Sequence, residues 1–192
     1  TLSGSNSFYG TTLVSNGALQ GDALSLQGVI SNNALVIFNQ TNAGTFSDVI
    51  SGSGSLTKNG VGTLTLSGAS VTQTTVNLLA GTTVISGAGT LSAGTLTVDQ
   101  GGSAVITGGS NTVGSVTVGQ TTNTSSSLLV SSGATLTSSN ISVGAGSSGG
   151  NTLTVSGSNS LITNRGDITI GYATSSNSLV IADGGQVFSS NT

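Results

Sequence analysis

The chain has 192 residues, 4% charged side chains, a net charge of −3, and no His, Cys, Pro, Met or Trp. Those absences exclude a disulfide framework, thiolate zinc sites and Ser-His-Asp or Cys-His centres, and the charge disfavours a nucleic-acid surface. With 34% hydrophobic residues and a mean hydropathy of +0.30, the chain is too apolar and too weakly charged for disorder.

The length suits one domain. Helix is disfavoured, because Ser, Thr, Asn, Gly and Val dominate and no apolar 3.6-residue period occurs. Thr1 opens mid-pattern, without a basic n-region or apolar h-region, so the sequence reads as a segment of a longer chain with no signal peptide. Thr1-Leu2-Ser3-Gly4 returns as Thr65-Leu66-Ser67-Gly68, an offset of 64. Thr11-Thr12-Leu13 returns as Thr74-Thr75-Val76, an offset of 63, and Gly17 answers to Gly81. The longest apolar run, Ala34 to Phe38, is too short to span a bilayer. Phe8, Tyr9, Phe38 and Phe46 cluster early, with Tyr172 and Phe188 late. Stacking inside a coil or on a turn is the expectation for them, ahead of a binding platform.

Ser51 to Gly68 is the most regular stretch. Thr63-Leu64-Thr65-Leu66 alternates strictly and is closed on both sides by Gly turns. The stretch joins the long-period half to a second repeat family. Its Lys58, one of two basic residues, is expected on the outside of a coil.

That second family is shorter. Val116-Thr117-Val118-Gly119 returns as Ile141-Ser142-Val143-Gly144 and Ile168-Thr169-Ile170-Gly171, at offsets of 25 and 27. Leu128-Leu129-Val130 returns as Leu153-Thr154-Val155 and Leu179-Val180-Ile181, and Leu136, Leu161 and Val187 mark a third position. A sandwich has no reason to repeat at a fixed spacing, whereas a solenoid stacks like on like. The expected fold is all-β: a single-stranded right-handed parallel β-helix with three short strands per coil. It forms one continuous β-helix over 1–192, with long-period repeats over 1–100 and repeats of about 25 residues over 101–192. Seven or eight coils at about 4.8 Å would make a rod about 35 Å long. Alternation assigns Leu64, Leu66, Leu96, Val98, Val116, Val118, Leu128, Val130, Leu153, Val155, Ile168, Ile170, Leu179 and Ile181 to the interior. Thr63, Thr65, Thr95, Thr97, Thr117, Thr154 and Thr169 then face solvent.

Leu56-Thr57-Lys58-Asn59-Gly60-Val61-Gly62-Thr63-Leu64-Thr65-Leu66-Ser67-Gly68 resembles the autotransporter-associated β-strand repeat of Gram-negative passengers. Every fixed position of that pattern, Leu-x-Lys-x-Gly-x-Gly-Thr-Leu-x-Leu-x-Gly, is matched. Thr45 to Gly52 resembles the segment that precedes it in the family. Ser160 to Tyr172 and Leu179 to Val187 resemble a second passenger repeat. The resemblance implies a right-handed parallel β-helix, export across the outer membrane and exposure at the cell surface. It also implies a translocator barrel, yet no strands of about ten residues with aromatic girdles occur here. Truncation, or another route outward, would account for that.

The sequence offers little chemistry. The acids are Asp22, Asp48, Asp99, Asp167 and Asp183, scattered where a polysaccharide-cleaving β-helix needs clustered carboxylates. Arg165 and Asp167 form the only charged pair, read as a turn rather than a catalytic constellation. No catalytic residue, cofactor site or metal site is expected, and the Gly-Gly-x-Gly-x-Asp calcium nonapeptide does not occur. Thr-x-Thr pairs at 63/65, 95/97, 135/137 and 152/154 raise ice binding, but Ser115/Thr117 and Ile168/Thr169 break the column. The Asn-x-Ser/Thr sequons at Asn39, Asn123 and Asn140 are near chance in so Ser/Thr-rich a chain.

One surface feature stands out. Polar loops of similar length follow Gly119, Gly144 and Gly171, and in a coil they stack along one edge. The candidate binding ridge is Gln120, Thr121, Asn123, Ser147, Ser148, Asn151, Tyr172, Ser175 and Asn177. The expected function is a structural or adhesive extracellular segment of an autotransporter-like passenger, acting as a rigid spacer. The competing reading is a self-assembling subunit of a fibre or sheath, and a glycan-active enzyme ranks below both. The expected partners are the chain itself, by end-to-end or lateral stacking, and host-cell or matrix glycans. Neither nucleic acid nor membrane insertion is expected.

Overall fold

Runs that alternate Leu, Val or Ile with Thr or Ser suit a pleated strand with one buried face. In the computed structural model, which describes residues 1–8, 10–121, 124–147, 149–172 and 175–190, these runs form strands, and no helix occurs among them. Every strand pairing is parallel. The fold is a parallel β-helix, as the repeat spacing predicts.

Each coil has three faces. The first is a seven-stranded sheet that includes Thr63–Ser67, Thr82–Ser86, Ser103–Ile106, Ser127–Ser131, Thr152–Ser156 and Ser178–Ala182. The second and third belong to one bent sheet. Its long strands Ser70–Leu78, Thr90–Val98, Ser110–Val118 and Thr135–Val143 each run through a corner. At that corner Thr74 and Thr75 are less buried than Gln73 and Val76 on either side, which shifts the alternation by one residue. Gly94 drops out of the pairing at the same place, between Ala93 and Thr95. Three strands per coil are thus present, two of them fused. Nine strands stack along the second face, about 38 Å of rod at about 4.8 Å per step.

The interior is a set of aliphatic columns. Leu64, Thr83, Ala104, Leu128, Leu153 and Leu179 lie in register on the first face. Phe38 and Phe46 are buried and meet edge to face, with ring centroids 5.4 Å apart at 71°. Burial of one such aliphatic or aromatic side chain contributes roughly 1.5–3 kcal/mol.

The register corrects four expectations. First, 63–64 is not the stacking period of the early half. Thr12 stacks on Ile30, Ile30 on Ile50 and Ile50 on Val71, which are steps of 18, 20 and 21 residues. Second, the coil lengthens after Val118 rather than at Ser51–Gly68. Leu96 pairs with Val76 and Val116 at steps of 20, whereas Val116 to Ile141 and Ile141 to Ile168 are 25 and 27. Third, Leu136 stacks on Ile162, not on Leu161, and a slip of one residue moves a side chain to the other face. Fourth, Ile168 and Leu179 are only partly buried, and Ile170 and Ile181 are 38% and 52% exposed. They continue the interior columns, but their strands pair on one side only and nothing among the described residues covers them.

Candidate functional site

The turn that leads from the third face to the first carries most of the polar chemistry. Lys58 begins it. Counting from Leu56, alternation places Lys58 on the inner face, and there it stands, between Phe38 and Leu78 in the column. It is fully buried, 0% exposed, which overturns its expected place outside the coil. Its Nζ donates to the carbonyls of Gly60 and Gly62 at 2.6 Å each, and to Ala80 in the next coil. An ammonium has three donors, and each finds a carbonyl. Burial lowers the Lys58 pKa from its usual value to about 8.

Six positions of the Leu56–Gly68 stretch now have physical reasons. Leu56, Leu64 and Leu66 fill the interior. Gly60 has φ +81°, and a Cβ there would lie 2.4 Å from the Gln40 carbonyl oxygen of the coil below. A Cβ on Gly62 would lie 2.3 Å from the Asn42 carbonyl oxygen. The two glycines let the turn settle onto its neighbour, and Lys58 ties their carbonyls. Gln40 acts similarly one coil earlier: Oε1 accepts from Ala23 N–H at 2.9 Å and Nε2 donates to Asn42 O at 3.0 Å.

Further along this turn, Asp99 is buried. Its carboxylate accepts from the Gln120 and Thr121 amides at 3.0 Å and from the Thr121 hydroxyl at 2.7 Å. Burial alone would raise its pKa. Donors from Thr121, Gln100 and Gln120 outweigh that and hold it below the usual carboxylate value.

The predicted ridge divides in two. Its loops do stack: Gly146 lies against the Gln120 carbonyl, and Ser125 Oγ donates to Gly149 O at 3.2 Å. Gln120, Thr121, Ser147, Ser175 and Tyr172 are exposed, Tyr172 at 81%. Asn151 and Asn177 point inward instead. Asn151 Oδ1 accepts from Ser126 N–H at 2.8 Å, and its Nδ2 donates to Asn177 Oδ1 at 2.9 Å. The Asn151 amide packs under Gly119 and that of Asn177 under Gly144, so neither side chain presents a free amide to a ligand. Asn123 and Ser148 lie outside the described residues.

Arg165 and Asp167 are exposed at a turn. Asn140 Oδ1 accepts from the Asp167 N–H at 3.2 Å, and Asn164 Nδ2 donates to its carbonyl at 3.1 Å, which supports the turn reading. Among the described residues no three acidic side chains come together.

Sequence reasoning missed Lys58 and Asp99 as internal staples. It also missed a cleft of about 320 Å³ on the early coils, lined by Asn6, Ser7, Phe8, Gln27, Gly28, Val29 and Asp48. Phe8 in the sequence was the one available signal. No protein-family model, no curated protein and no solved structure matches this chain.

Proposed function

We propose that the chain is a structural and adhesive segment of an extracellular, autotransporter-like passenger, exported across the outer membrane and acting as a rigid spacer at the cell surface. Its role is mechanical and not catalytic. One observation carries the reading. The Leu56–Gly68 stretch, which resembles the passenger repeat, has a packing or hydrogen-bonding reason at its three Leu positions, at Lys58 and at Gly60 and Gly62, and its lysine is consumed internally. The low charge and continuous interior column support the same reading.

The test is surface display. Placed between a secretion signal and an outer-membrane barrel in a Gram-negative host, the chain should carry an N-terminal tag to the outside of intact cells. There it should resist added protease. Retention in the periplasm, or rapid degradation outside, would sink the proposal.

A second reading, a fibre-forming subunit, has one observation in its favour. Among the described residues the C-terminal coil exposes Ile170, Ile181 and Phe188 on strands paired on one side only, the edge on which a further coil, of this chain or of another copy, would stack. Unpaired edges of this kind invite stacking. Sedimentation showing monomers alone at millimolar concentration would remove it.

A further inference from the structure

We infer that the cleft on the early coils is a binding site for a neutral pyranose sugar. The inference rests on the adhesive reading above and names a ligand class and a place for it.

The cleft is built by close approach. Gly28 has φ +71°, and a Cβ there would lie 3.2 Å from the Gly10 carbonyl oxygen and 3.4 Å from that of Phe8. The bare glycine lets the first segment lie against the turn at residues 27–29. Asn6 pins that segment: its N–H donates to Leu24 O at 3.3 Å and its Nδ2 to Ser25 O at 3.0 Å. From the other side, Asp48 Oδ2 accepts from Gly28 N–H at 3.1 Å. The walls therefore hold their shape before any ligand arrives.

The chemistry of the lining is selective. Phe8 is half-buried and Val29 is exposed, and both line the cleft and supply its apolar surface. Around them stand oxygens with no donor among the described residues. Gln27 spends its Nε2 on the Ala23 and Leu24 carbonyls, leaving Oε1. Asp48 spends Oδ2 on Gly28, leaving Oδ1. The Ser7 hydroxyl has no partner among the described residues. No basic residue lines the cleft, so a phosphate or other anion has nothing to pair with.

A ligand that fits must donate several hydrogen bonds and also present an apolar face. A pyranose does both: its hydroxyls donate around the rim, and one face of axial C–H groups rests on an aromatic ring. A few placed polar groups over an apolar floor is the ordinary make-up of a small-ligand site.

The test is a titration of the whole chain with methyl glycosides of glucose, galactose, mannose and N-acetylglucosamine, each to about 10 mM. Saturation-transfer NMR and calorimetry are the readouts. At least one glycoside should bind. Asp48→Asn, which keeps an oxygen for Gly28, and Phe8→Ala should each weaken it about tenfold or more. Thr117→Ala, on a distant coil, should leave it unchanged. Circular dichroism checks that each variant is folded. If none of the four binds at 10 mM, or if binding persists in both cleft variants, the inference is overturned. Surface display of the chain is scored separately, so loss of the sugar site leaves the spacer reading standing or falling by its own result.

Discussion

At the scale of single residues, Lys58 sets the sharpest expectations. Its folded pKa of about 8 lies below the ordinary lysine value of about 10.4. Between those values the unfolded chain holds the extra proton, so this group makes stability rise with pH across that window and leaves it level below. Lys58→Met strands the Gly60, Gly62 and Ala80 carbonyls and should cost about 2–5 kcal/mol near neutral pH. In urea titrations the gap between wild type and variant should widen from pH 7.5 to pH 10, and a constant gap would refute the pH argument. Asp99 runs the opposite way. Its lowered pKa gives stability that is present above about pH 4 and lost as pH falls through the folded value. Asp99→Asn should cost about 1–3 kcal/mol at pH 7, and that difference should shrink by pH 2.5. Thr83 carries the one buried side-chain oxygen without a partner among the described residues, between Leu64 and Ala104. Thr83→Val should stabilise the fold by about 1 kcal/mol, read as a raised thermal midpoint. In the sequence, Lys58 was half legible: alternation from Leu56 already pointed it inward, while its charge argued outward. The structure resolves the conflict by giving every ammonium proton a carbonyl.

At the scale of elements, the strands were legible and the turns were not. Val116, Ile141 and Ile168 stack as their spacing predicts, because an interior position tolerates only a few aliphatic shapes and the repeat stays visible. The early coils hide their step of about 20 residues. There Ser, Thr, Asn and Gly interchange freely on solvent-facing positions, and chance likenesses at 63–64 outscore the true register. Asn151 and Asn177 were unreadable for another reason. A Ser/Asn/Gly loop looks solvated, yet long loops bring their own amides back to close the hydrogen bonds of the turn. Asn151→Ala should remove the acceptor of Ser126 N–H and cost about 1–3 kcal/mol. Hydrogen exchange offers the direct check, since the Ser126 amide should lose protection while Val130, inside a strand, keeps it.

At the scale of the molecule, the rod behaves as a stack of nearest-neighbour units. Ser127 pairs with Thr152 and Ser131 with Ser156, so deleting residues 127–151 joins the chain in register. The shortened protein should still unfold cooperatively, with an m-value lower by about one eighth, in line with the surface lost. Loss of cooperative unfolding would mean that the coils are not interchangeable. Lys58 has a further effect on how such a stack is wound. Its third carbonyl belongs to Ala80, which takes its place only when the following coil is laid down. A chain winding from its N-terminal end holds Lys58 at the open edge of the stack, bonded to Gly60, Gly62 and water, until that carbonyl arrives. A chain nucleating beyond residue 80 meets the lysine with its receptor already assembled. The same side chain that locks the finished turn therefore completes its coordination at a different step in the two directions of winding.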